Sequence, residues 1–155
     1  MVTHDGETLA DLEPDPATRR ALLASVLVAQ GVPMISSGDE LGRTQGGIRD
    51  GYRLEPDRWG LDWPAAGAGD PGDLRAWVGA AVAAWHRHPV LRRGTWVIPG
   101  DAAIVWRTPA GAPMSEERWR DPDLAGMLVE WARSSEHGAA LVLLVRADPV
   151  EFHLP

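Results

Sequence analysis

Cysteine is absent from the 155 residues, which excludes a disulfide framework, a thiolate metal site and a thiol nucleophile. Lysine is absent too. All 15 basic residues are Arg, scattered rather than clustered, against 22 acidic residues and a formal net charge of −7. A nucleic-acid binder needs the opposite balance or a strong basic patch, so no nucleic-acid partner is expected. No apolar run approaches the ~20 residues of a membrane-spanning helix. Residues 1–10 are polar and acidic, without the basic and then apolar layout of a signal peptide. A cytoplasmic protein with no membrane partner is therefore expected. Phe and Tyr occur once each, but Trp occurs eight times. Large rings in that number suit a ring-built core or a carbohydrate-facing surface.

What is present divides in two. Val2-Thr3-His4 reads as the end of a short strand, closed by an Asp5-Gly6 turn. Residues 13–30 carry a helix, with Asp15 as N-cap, Pro16 at the first position and Leu22, Leu23, Val26 and Leu27 at helical spacing. Gly31 stands where a C-terminal glycine belongs. Val32-Pro33-Met34-Ile35 is too short for a helix and reads as a buried strand, completing a βαβ unit with parallel strands. A long Gly-, Asp-, Arg- and Pro-rich stretch, 38–72, follows, and loops of that length are functional or disordered. A second helix spans 73–88, with Leu74, Trp77, Val78, Ala81, Val82 and Trp85 as its buried stripe, and Pro89 ends it. Beyond it the texture is β: strands at 95–98, 103–107, 124–131, 139–146 and 150–154, with one helical turn at 115–120. The fold class is α/β followed by all-β, divided near residues 91–94. Neither half closes a sheet of its own, so the chain reads as part of something larger or as needing a partner.

No metal site or cofactor is expected. His86 and His88 stand two apart on a helix and face different ways. His137 and His153 lack ligand partners at useful spacing. The Gly-rich stretch 42–51 lacks the Lys and following helix of a phosphate loop. Trp77 and Trp85 belong to the helix stripe and hence to the core.

Several segments, in order, carry a family resemblance: His4-Asp5-Gly6-Glu7-Thr8-Leu9, Gln30-Gly31-Val32-Pro33-Met34, and Gly38-Asp39-Glu40-Leu41-Gly42-Arg43-Thr44-Gln45. Leu61-Asp62-Trp63, Arg87-His88-Pro89-Val90-Leu91-Arg92-Arg93 and Trp119-Arg120-Asp121-Pro122 follow. Together they resemble the C-terminal third of a glycogen debranching enzyme of the isoamylase type, a glycoside hydrolase of the α-amylase superfamily. The resemblance implies that residues 1–91 are the last two βα units of a (β/α)8 barrel and residues 92–155 the start of a C-terminal β-sandwich. It implies a branched α-glucan, glycogen or limit dextrin, as substrate of the parent enzyme, and the missing N-terminal barrel portion as a partner.

Barrel chemistry sits at the C-terminal ends of strands. The resemblance makes Asp5 the transition-state carboxylate and His4 a hydrogen-bond partner of a sugar hydroxyl; read alone, Asp5-Gly6 is a turn. Trp59 and Trp63, in the long loop, are candidate sugar-stacking residues or loop pins. Retaining hydrolysis needs a nucleophile and an acid/base about 5–5.5 Å apart, and the resemblance assigns both to earlier strands. The chain alone is therefore expected to be inactive, and a noncatalytic glucan-binding fragment or an inert product stand as alternatives. Asp39 and Glu40 read as structural or outer-subsite residues. The family's Asn-rich segment is replaced by residues 48–58, with only Tyr52 in register.

Overall fold

Each of the longest helices begins where its sequence supplies a carboxylate cap. A computed structural model describes residues 6–29, 31–55, 60–64, 73–97, 103–131, 140–145, 151 and 153, the stretch 140–145 as backbone only. In chain order the elements are α1 (Leu9–Leu12), α2 (Pro16–Val28), α3 (Leu74–Arg87), β1 (Ile104–Arg107), α4 (Glu116–Trp119), β2 (Gly126–Trp131) and β3 (Ala140–Val145). Short 3₁₀ turns stand at Asp39–Leu41, Gly51–Arg53 and Pro89–Arg92. The described chain is thus a mixed helix-and-strand structure. No described helix is long and apolar enough to cross a membrane.

The Asp15 carboxylate accepts the Thr18 N–H at 2.7 Å, with Pro16 in the first turn of α2. Asp73 accepts the Arg75 N–H at 2.9 Å at the start of α3. Each bond satisfies one of the donors a helix N-terminus leaves orphaned. Helix α4 repeats the device with the Ser115 hydroxyl. Helix α1 was not expected from the sequence. Its cap is Thr8, only 1% exposed, whose hydroxyl accepts the Asp11 N–H at 3.2 Å.

Two apolar clusters hold these elements. Leu9, Leu23 and Val78 join α1, α2 and α3, with Ile35, Leu74, Trp77 and Val82 packed against them. Val28 from the end of α2 and Val90 meet Val129 and Trp131 of β2, with Leu91, Ile104 and Trp106 alongside. The second cluster therefore fastens the helical portion to the sheet. That sheet is antiparallel in the order β1-β2-β3, with Ile104 opposite Trp131 and Gly126 opposite Val145. Arg107 reaches diagonally across the first pair to Glu130 at 2.9 Å, a cross-strand ion pair on one face.

Five expectations change. Residues 32–35 are not a buried strand: no strand pairs with them among the described residues, and Val32 and Met34 are 87% and 83% exposed. Pro33 has no N–H to give a ladder, and a parallel strand needs neighbours on both sides. Thr95 to Val97 likewise form no strand, and the Trp96 ring is 72% exposed. Leu22, counted in the apolar stripe of α2, is 45% exposed, whereas Leu23, Leu27 and Val28 are buried. Glu151 and His153 lie outside any strand. Helix α2 ends at Val28, with Ala29 extended, and Gly31 takes its positive φ only afterwards. The expected strand at residues 2–4 lies outside the described residues.

Leu128 is 1% exposed in the central strand. Leu128→Ala should cost about 2–5 kcal/mol of unfolding free energy in urea titration, and Leu22→Ala less than about 1 kcal/mol.

Candidate functional site

The segment after His4-Asp5 has little packing of its own, and a polar loop holds it. Gly38 and Gly42 bracket the turn Asp39–Leu41 with φ of +94° and +69°. At Gly38 the left-handed backbone suits glycine, and a Cβ there would fall 2.5 Å from Leu61 Cδ2 and 2.9 Å from Arg43 Cβ. The turn points Asp39 at helix α1. Its carboxylate, 4% exposed, accepts the Leu9 N–H at 3.2 Å. Glu40 turns back to accept the Gly38 N–H at 3.0 Å. Both acids of the Gly-Asp-Glu motif thus serve the backbone, in agreement with a structural role.

Gln45 is the centre of a second attachment and is 7% exposed. Its amide Nε2 donates to the Ile48 carbonyl at 2.9 Å and, longer, to the Gly6 carbonyl at 3.5 Å. Its Oε1 accepts from Arg43 Nη1 at 3.1 Å. The Gln45 backbone N–H donates to Asp11 at 2.8 Å, and the Thr44 hydroxyl donates to the other oxygen of the same carboxylate. Gly51 lies so close that a Cβ would stand 2.6 Å from Gln45 Oε1. Arg49 and Glu7 add an ion pair at 3.7 Å. Gly6 and its neighbour Glu7 are therefore tied to the loop at 38–51 through Gln45 and Arg49.

Buried Asp39 and half-buried Asp11 are shifted in opposite directions. Burial pushes the Asp39 carboxyl above the ordinary carboxylate range, more than its bond from Leu9 and the charge of Arg43 can offset. Burial also pushes Asp11 up, but hydrogen bonds from Thr44, Gln45, Thr8 and Gly47 outweigh it and hold Asp11 below that range.

Of the residues singled out from the sequence, His4, Asp5 and Trp59 lie outside the described residues. Trp63 is 68% exposed. Its N–H donates to the Leu61 carbonyl at 3.0 Å, and Leu61 in turn packs on Gly38, so the Trp63 loop stands beside the turn at 38–42. Tyr52, on the turn Gly51–Arg53, is a second open ring at 77% exposure. The sequence reading missed the positioning role of Gln45 and Asp11; the Thr-Gln pair after Gly42-Arg43 was the available signal. No group of three or more His, Asp or Glu residues that could hold a metal occurs among the described residues.

No family model matches the chain. It is 30% identical over 133 residues to a protein named glycogen debranching enzyme from Pectobacterium atrosepticum, covering 82% of this chain and 20% of that protein. It is 36% identical over 103 residues to a protein of the same name from Cronobacter sakazakii, covering 66% and 15%. For Serratia proteamaculans the values are 33% over 108 residues, 70% and 16%. The chain thus spans about a fifth or less of the length of these relatives.

Gln45→Ala should leave the Gly6 and Ile48 carbonyls short of a donor and cost about 1–3 kcal/mol in urea unfolding. Asp39 sets a pH dependence. Between the ordinary carboxylate value and its raised value, the folded chain holds a proton the unfolded chain has released. Its contribution is complete below the unfolded value and is lost as pH rises through the folded one. Asp39→Asn should flatten that limb of a stability-against-pH curve measured by thermal melts.

Proposed function

Starting from a chain similar over most of its length to a segment of the glycogen debranching enzymes, we propose that it is a glycoside-hydrolase segment of that lineage. In this reading residues 1–91 form the last two βα units of a (β/α)8 barrel of the α-amylase superfamily, and residues 92–155 begin a β-sandwich. The substrate is a branched α-glucan cleaved at α-1,6 links with retention, in the cytoplasm. Asp5 stabilises the transition state at the cleavage subsite, His4 binds a sugar hydroxyl, and Trp59 and Trp63 offer stacking faces.

One observation carries the architectural reading. Exposure alternates along residues 32–35: Ile35 packs under α1, α2 and α3, while Val32 and Met34 are 87% and 83% exposed. That is the pattern of a barrel strand whose helix-facing side is covered and whose inward side is bare. Cover for the bare side, and hydrogen-bonding neighbours on both edges, is what an N-terminal barrel portion supplies, which makes that portion the natural partner.

The same reading makes the chain inactive alone. Retaining hydrolysis needs two carboxyl groups about 5–5.5 Å apart as nucleophile and acid/base. Asp39 and Glu40, the adjacent acids beside the candidate site, are engaged with backbone N–H groups.

The purified chain should release no reducing ends from glycogen limit dextrin. Co-expression with the preceding portion of the Pectobacterium atrosepticum relative should yield a complex that does, and Asp5→Ala in this chain should lower its kcat by at least about a hundredfold. Debranching by the chain alone, or a stable complex indifferent to Asp5→Ala, would refute the proposal.

A further inference from the structure

A half-open cavity of about 390 Å3 lies where α2 and α3 end against the sheet, within the size range of small-molecule sites. Much of its wall is apolar: Val28, Val90 and Trp131 are buried there, and the Trp96 ring, 72% exposed, stands at its border. No described residue of the loop at 38–51 lines it, so it is separate from the loop that holds Gly6.

The charge on that wall has one sign. Arg92 and Arg93 line the cavity, and no Asp or Glu does so among the described residues. In a chain with 22 acidic and 15 basic side chains this is a local reversal. Arg92 is held in place: its Nη2 donates to the His86 carbonyl at 2.9 Å, and its guanidinium carbon stands 5.5 Å from the Trp85 ring centroid. A guanidinium has further N–H donors to give after one is used. Arg93 is half-buried and has no hydrogen-bond or ion-pair partner among the described residues. Beside an apolar wall such a charge is less screened than on an open surface, so an anion that reaches it gains more. A wholly polar anion leaves the apolar wall without a partner, and a neutral apolar body leaves Arg93 without one. A carboxylate on an apolar body meets both.

We propose that this cavity binds a small amphipathic monocarboxylate, its head group on Arg93 and Arg92 and its apolar body against Val28, Val90 and Trp96. The site includes neither His4 nor Asp5, and it does not depend on the debranching reading.

The test is a titration of the full 155-residue chain with octanoate, kept below its micelle-forming concentration, followed by calorimetry and by Trp fluorescence. Binding should saturate at a single octanoate per chain. It should be at least about tenfold tighter than that of 1-octanol, which lacks the charge, or of acetate, which lacks the body. Arg93→Gln should remove most of the preference for octanoate over 1-octanol while the melting temperature holds, and Arg93→Lys should keep part of it. Trp96→Ala should weaken both ligands alike. Leu22→Ala, on an exposed face of α2 away from the cavity, should change neither. Equal affinity for octanoate and 1-octanol, or a preference untouched by Arg93→Gln, would overturn the site. Inorganic phosphate binding as tightly as octanoate would overturn it in favour of a plain anion site, and uptake that never saturates would reduce it to general apolar adsorption.

Discussion

The contact on which the candidate site depends is polar and long-range: Asp39 and Gln45, from one loop, hold the backbone at Leu9 and Gly6. The segment 6–12 has one buried leucine and a single helical turn, too little apolar surface to fix its own position. The loop supplies what packing does not. Because both partners are buried, water competes weakly for these bonds, and each lost bond would strand a backbone group. The opposed titration of Asp11 and Asp39 follows from the same arrangement. One acid is surrounded by donors, and the other is sunk beneath a helix start with a single one.

Much of the local structure was legible because its causes are local. Asp15-Pro16, Asp73 and Ser115 mark helix starts within a few residues of the donors they satisfy. The strands at β1, β2 and β3 follow from short apolar runs bounded by turn residues. Helix α1 carries a local mark too, Thr8 followed three residues later by Asp11, but four residues make too weak a periodic signal to read as a helix. The strand expected at residues 32–35 failed for another reason. Periodicity reports which residues want burial, but pairing depends on neighbours that lie elsewhere.

The site was legible only in outline. The resemblance pointed to His4, Asp5 and the loop tryptophans, whereas the geometry brings forward Asp11, Thr44 and Gln45 as the residues that hold the neighbouring backbone. Contacts across more than thirty positions, between short polar side chains, leave no periodic trace. The apolar join between Val28, Val90 and β2 is equally silent in the sequence. It explains why two portions of different texture are nonetheless fastened to each other.

The His153 N–H donates to the Pro109 carbonyl at 2.8 Å, and Gly111 has no side chain to collide with the His153 carbonyl, which a Cβ would meet at 3.1 Å. The turn after β1 is thus clasped by a residue made long after it on the ribosome. During synthesis, when domains take shape from the N-terminal side, that edge of the sheet stays unlatched until His153 has been made. The clasp is a late lock, set far along the chain from every described helix.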